Sequence, residues 1–150
     1  MMADPIADPV ADPMADPMVD RSPSYWPAGT HLLADLFGVP AALLRVAGAI
    51  EQTILDSATA AGAHVLSSHF HSFDSSDGVT GVVVLAESHI SIHTWPEHGF
   101  AAVDIFMCGT AQPQTALDVI CAAFKPVACD VRSIRRGLAS DVIGPASVIA

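Results

Sequence analysis

The sequence predicts an α+β fold: a two-layer sandwich in which a mostly antiparallel sheet carries helices on one face. Several segments of strand length alternate apolar and polar residues, the two-residue period of a half-buried strand. A longer segment instead repeats its apolar residues at steps of three and four, the mark of a helix with one buried face. Along the chain the order is one strand, a helix, four strands, a second helix and a last strand, which suits one sheet with helices packed on it. With 150 residues, 51% of them hydrophobic, the chain is expected to form a single domain around a real core.

The elements follow in order. Residues 3 to 18 repeat Ala-Asp-Pro followed by Ile, Val or Met. Each proline lacks an amide donor and disfavours helix in the residue before it, so residues 1 to 28 are expected to be a disordered acidic tail ahead of a domain at 29 to 150. A strand is predicted over 30 to 37, after which Gly38 and Pro40 mark the turn into a helix at 40 to 61. Leu43, Ala47, Ile50, Ile54 and Ala58 form its buried face, and Gly62 is placed to cap its end. Strands follow at 64 to 73, 79 to 86, 89 to 94 and 100 to 107, punctuated by Ser75-Ser76-Asp77-Gly78 and by residues 96 to 99. A helix at 113 to 124 and a strand at 130 to 135 complete the order.

Composition excludes several functions. Six basic against sixteen acidic residues give a net charge of -10, which repels phosphate backbones and anionic membrane surfaces; nucleic acid and membrane are not expected partners. No apolar run approaches the ~20 residues of a spanning helix. Arg132, Arg135 and Arg136, the one basic cluster, read as a solvated strand end. The N-terminus lacks a basic start and a long apolar run, and three cysteines make an odd number without framework spacing, so the cytoplasm is the expected compartment. Cys121 and Cys129 read as small buried hydrophobes.

The densest chemistry lies in residues 87 to 109, ESHISIHTWPEHGFAAVDIFMCG, where two serines, three histidines, two glutamates, an aspartate and a cysteine sit among apolar residues. Singly, such residues in a strand are usually structural. Their joint spacing, in Glu87-Ser88-His89, Ile92-His93-Thr94-Trp95-Pro96-Glu97, Ala101-Ala102-Val103-Asp104 and Cys108-Gly109, resembles the core motif of the bacterial and archaeal S-adenosylmethionine decarboxylase proenzymes. The resemblance spans about residues 29 to 137 and is strongest at this centre.

The resemblance implies self-cleavage between Glu87 and Ser88. The Ser88 hydroxyl attacks the Glu87 carbonyl and exchanges the amide for an ester. Elimination leaves dehydroalanine, which tautomerises and loses ammonia to give a pyruvoyl group, with no metal or external cofactor required. The products are a β chain, 1 to 87, and an α chain, 88 to 150. An ordinary peptide bond is planar and inert, so the shift needs a strained turn, donors for the oxyanion and a base for the α proton. His93 is the natural base: on a strand, His89, Ser91 and His93 share one face, and Ser88 starts the same segment. Thr80 offers a second hydroxyl on the neighbouring strand.

Within the resemblance, His93 belongs to processing, Thr80 stands where the family has an assisting serine, and Cys108 is the catalytic acid, a neutral thiol that returns a proton to the substrate. Phe70-His71-Ser72-Phe73 resembles the family's Phe-His-x-Phe segment, which makes Phe73 the residue that stacks on adenine, while Glu97 matches the glutamate that holds the ribose hydroxyls. The implied reaction converts S-adenosylmethionine to its decarboxylated form and carbon dioxide for spermidine and polyamine synthesis, in a dimer of αβ protomers. Asp74-Ser75-Ser76-Asp77 departs from the family, being one residue longer and without its proline. Two aspartates there suit the distal cation of a basic amino acid, so a pyruvoyl-dependent ornithine or arginine decarboxylase is the alternative. Readings of a different class are a metal site drawn from His64, His69, His71, His89, His93 and His98, or an uncleaved binding subunit.

Overall fold

The computed structural model describes residues 28–74 and 77–137. The tail expected at 1 to 28 therefore lies outside the described residues except for Ala28, as do Ser75 and Ser76 of the expected turn and the last residues, 138–150, of the expected domain. The strands are β1 (Gly29–Phe37), β2 (Val65–Ser72), β3 (Val79–Leu85), β4 (Ser88–Trp95), β5 (Phe100–Cys108) and β6 (Ala128–Arg136). The helices are α1 (Ala47–Ala60) and α2 (Pro113–Phe124), with short 3-10 turns at Ala41–Leu44 and Pro96–His98.

All six strands form one sheet in the order β2-β3-β4-β5-β1-β6, with every neighbouring pair antiparallel. Both helices pack on one face, as the element order predicts. Under them, Leu32, Leu36, Val83, Ile90, Ile92, Val103, Ile105 and Met107 from the strands meet Ile50, Ile54, Leu117, Ile120 and Phe124 from the helices. The alternate residues point the other way. His69, His71, Thr80, Val82, His89, Ser91, His93, Asp104, Phe106 and His31 share that second face by register, and no described helix covers it.

The expected helix at 40 to 61 is broken in two. Val46 is extended (φ −100°, ψ 99°), and its carbonyl accepts the amides of Ala49 and Ile50, so α1 begins only at Ala47. Packing explains the break. Leu44 is fully buried and its carbonyl accepts the Thr94 hydroxyl at 2.9 Å, while Leu43, expected inside, is exposed. At the other end Gly62, at φ 75°, ends α1 as expected, with the Ala63 amide reaching back to the Ala58 carbonyl at 3.0 Å.

Two further details place the site. Leu85 pairs with Ser88, leaving Ala86 and Glu87 as a two-residue hairpin loop and making Ser88 the first residue of β4. Gly81 lies directly under the Phe70 ring, where a Cβ would collide with it, which accounts for a glycine inside a buried strand. Cys129 corrects an expectation: it is exposed, because β6 is an edge strand exposed along its whole length. Cys121 is half-buried on α2, and its thiol is pushed up to about 11 by burial first and by neighbouring Cys129 second.

Candidate active site

The tight β3–β4 loop brings residues 87 and 88 against the end of β5. Ser88 pairs with Met107, which sets Cys108 beside the loop. The Glu87 carbonyl oxygen accepts two hydrogen bonds from Cys108, one from its backbone N–H at 3.2 Å and one from its Sγ–H at 3.0 Å. Ser88 has φ 151°, a backbone region that residues with a side chain rarely adopt. Its hydroxyl lies 3.3 Å from Nδ1 of His89. A carbonyl polarised by two donors and followed by a strained serine is open to attack by that serine's hydroxyl.

The Glu87 side chain turns inward. It is 8% exposed, with Oε2 accepting the backbone N–H of His64 at 2.9 Å and Oε1 2.7 Å from His64 Nδ1. Burial pushes its pKa up, but the hydrogen bonds from the His64 ring and amide outweigh burial and hold the carboxyl below its ordinary value. Sequence reasoning missed this role for His64 and named it only as a metal candidate. The available signal was the need of any buried carboxylate for donors.

A second group forms at the opposite end of the sheet. Thr80 and His93 are direct partners across β3 and β4, with Oγ1 and Nδ1 2.7 Å apart. With His69, Gly81, Val82 and Ser91 they line a cavity of about 270 Å³, and Ser91 donates to Asp104 at 3.0 Å. Phe73 follows the end of β2 near them; it is exposed, not a core residue, and stands edge-on to His71 with ring centres 4.9 Å apart. Glu97, in the turn after β4, is also exposed.

The two groups do not meet within one chain. Five residues of extended strand separate Ser88 from His93, about 17 Å at ~3.4 Å per residue. Thus Glu87, Ser88 and Cys108 are together at one end, and Phe73, Thr80, His93 and Glu97 stand at the other. Between them, His31 is held below its ordinary pKa by burial first, a shift that Asp104 opposes, and its buried Nε2 has no hydrogen-bond partner. Among the described residues no three of His, Cys, Asp and Glu are grouped to hold a metal ion, so the metal reading gains no support.

The fold and site together define an open-faced antiparallel α+β sandwich with a polarised Glu-Ser bond at a hairpin tip. The sequence pattern of the S-adenosylmethionine decarboxylase family matches residues 30–137, and the chain belongs to that family. The S-adenosylmethionine decarboxylase proenzyme of Acetivibrio thermocellus is 41% identical over 121 residues, covering 80% of this chain and 97% of the relative. The proenzyme of Thermodesulfovibrio yellowstonii is 42% identical, covering 75% and 83%. The crystal structure of adenosylmethionine decarboxylase from Aquifex aeolicus superposes with a TM-score of 0.70 at 40% identity, covering 75% of this chain and 92% of that one.

Proposed function

We propose that the chain is a proenzyme that cuts itself between Glu87 and Ser88 and, once cut, decarboxylates S-adenosylmethionine to supply an aminopropyl donor for polyamine synthesis. The observation that carries this reading is the Glu87 carbonyl, which accepts both Cys108 donors beside a serine at φ 151°. The Ser88 oxygen bonds to the Glu87 carbonyl carbon, the C–N bond breaks, and the freed amine takes the hydroxyl proton. Loss of the residue 88 α proton then expels the Glu87 carboxylate; the resulting enamine becomes an imine, and water replaces its nitrogen as ammonia. A β chain of residues 1–87 and an α chain of residues 88–150 result.

The residues present fit this product, since Cys108 directs a thiol proton at the Glu87 carbonyl oxygen, on the bond next to the residue 88 α carbon that becomes the keto carbon. The pyruvoyl group supplies an electron sink as carbon dioxide leaves; Cys108 Sγ–H gives the proton that replaces it on the substrate. Phe73 offers an exposed ring to adenine, and Glu97 an exposed carboxylate to the ribose hydroxyls. Thr80 and His93 assist processing from a second protomer, because in their own chain they stand too far from Ser88. A two-fold pair with the open sheet faces together, each protomer reversed over the other, carries one chain's Ser88 end to its partner's His93 end.

The relatives' names favour the adenosyl substrate. The alternative of a basic amino acid loses a charge partner, because Asp77 is already paired with Arg45 at 2.6 Å. The odd cysteine count supports a cytoplasmic home. Intact mass measurement of the purified protein is expected to give two chains meeting at 87/88, the second with a keto terminus, and carbon dioxide release from S-adenosylmethionine but not from ornithine or arginine. A Ser88→Ala protein that still splits and turns over would falsify the reading.

A further inference from the structure

We infer that His64 is a positioning residue for self-cleavage: it locks the Glu87 side chain so that the carbonyl ahead of Ser88 stays on the Cys108 donors. The inference rests on the proposed cleavage at 87/88 and adds a residue that the motif of the central segment does not contain.

A glutamate in a two-residue hairpin loop ordinarily points into water, where its charge is solvated. Glu87 is instead 8% exposed, and one residue meets both carboxylate oxygens, His64 N–H on Oε2 at 2.9 Å and His64 Nδ1 on Oε1 at 2.7 Å. The His64 carbonyl also accepts the Ala86 amide at 2.9 Å. Backbone donor, backbone acceptor and ring thus bind the loop to the chain entering β2. Glu87 is gripped on two sides, its side chain by His64 and its carbonyl by Cys108 at 3.0 Å and 3.2 Å. Turning the 87/88 peptide plane away breaks one grip or the other, so the unfavourable φ of Ser88 persists because its surroundings over-determine it.

The His64 ring does this from the surface: its side chain is 65% exposed, so replacing it leaves the core filled. That makes a test clean. Full-length chains made by cell-free synthesis are chased, and scission is followed on denaturing gels and by intact mass. His64→Ala is expected to slow scission about tenfold or more, the cost of a lost hydrogen bond to a charged group. His64→Asn, whose amide nitrogen falls near the Nδ1 position, is expected to recover most of that rate. Glu87→Gln, which keeps His64 but removes the charge, is expected to be slowed as well.

Thermal unfolding in the uncleavable Ser88→Ala background separates positioning from mere support. His64→Ala should lower its midpoint by no more than Glu87→Gln does, and His64→Asn should restore the scission rate of the cleavable chain. Equal slowing by the Ala and Asn variants, or scission of His64→Ala at the wild-type rate, overturns the role of His64. If the wild-type chain itself stays whole, the proposed cleavage fails and this inference with it. Wild-type scission alongside undiminished scission in the variants removes this inference alone.

Discussion

Holding a serine at φ 151° costs on the order of 1–3 kcal/mol, and the neighbours of Ser88 maintain it through the Glu87 carbonyl. One of the two donors to that oxygen is a side chain, which separates its effect from the backbone. Cys108→Ala retains the amide at 3.2 Å but removes the thiol at 3.0 Å. A thiol is a weak donor, so scission timed on a gel should slow by about tenfold, less than the ~10²–10³ of a strong oxyanion donor. Decarboxylation by the molecules that do split should fall much further if Cys108 is, as proposed, the source of the proton that replaces carbon dioxide. Scission at an unchanged rate would mean that the Sγ–H contact contributes nothing to the first reaction. The carboxylate of Glu87 gives a pH prediction. Its folded pKa lies below the ordinary value, so its stabilising effect is full above the ordinary glutamate range and is lost as pH falls through that range to the folded value. In the Ser88→Ala background, denaturant unfolding should show Glu87→Gln destabilising at neutral pH, with the gap narrowing steadily on acidification. A gap independent of pH would show that the charge on Glu87 does not contribute.

Elements rather than single groups decide which face each residue reaches, and here the sheet is more legible in the sequence than the first helix. The period of two survives in β3, β4 and β5 because each has helices on one side and an open face on the other. The break at Val46 is not legible, since Leu43 and Leu44 are equally apolar; the Thr94 hydroxyl bond to the Leu44 carbonyl, between residues 50 apart, selects the buried one. Nor does alternation reveal that Cys129 is exposed, because an edge strand without a covering layer shows the same pattern. In the site, Glu87, Ser88 and Cys108 are legible from spacing, whereas His64 reaches Glu87 across 23 residues through the pairing of β2 with β3. The closest packing in that pair gives an element-scale prediction. Gly81→Ala drives a methyl into the Phe70 ring and should cost about 1–3 kcal/mol by denaturant unfolding, as overpacking does. Phe70→Leu should recover part of that loss in the double variant. A Gly81→Ala protein as stable as wild type would mean that Phe70 has another resting place.

At the scale of the molecule, an antiparallel sheet with helices on one side leaves its other side to water or to a partner, and here that side carries Thr80 and His93, with Ser88 at the far end of the same strand as His93. One end of it is apolar: Trp95 stacks on Phe100 and Phe37 stacks on Phe100, each at 5.2 Å, with Trp95 and Phe37 both exposed. Ser88 and His93 sit about 17 Å apart along one strand, so in the proposed two-fold face-to-face pair each site takes its serine from one chain and its histidine from the other. Complementation tests that arrangement. Chains carrying Ser88→Ala and chains carrying His93→Ala are each expected to process poorly alone. Assembled together at random, about half the pairs are mixed, and in each mixed pair one site holds both defects while the other is intact, so about a quarter of wild-type sites return. Mass measurement should find the new fragments only from the His93→Ala chain, since that chain keeps Ser88 and borrows the partner's histidine. No recovery on mixing, with mixed pairs demonstrated by tags of different mass, would place the two groups in separate functions and leave Ser88 with His89 as its nearest ring.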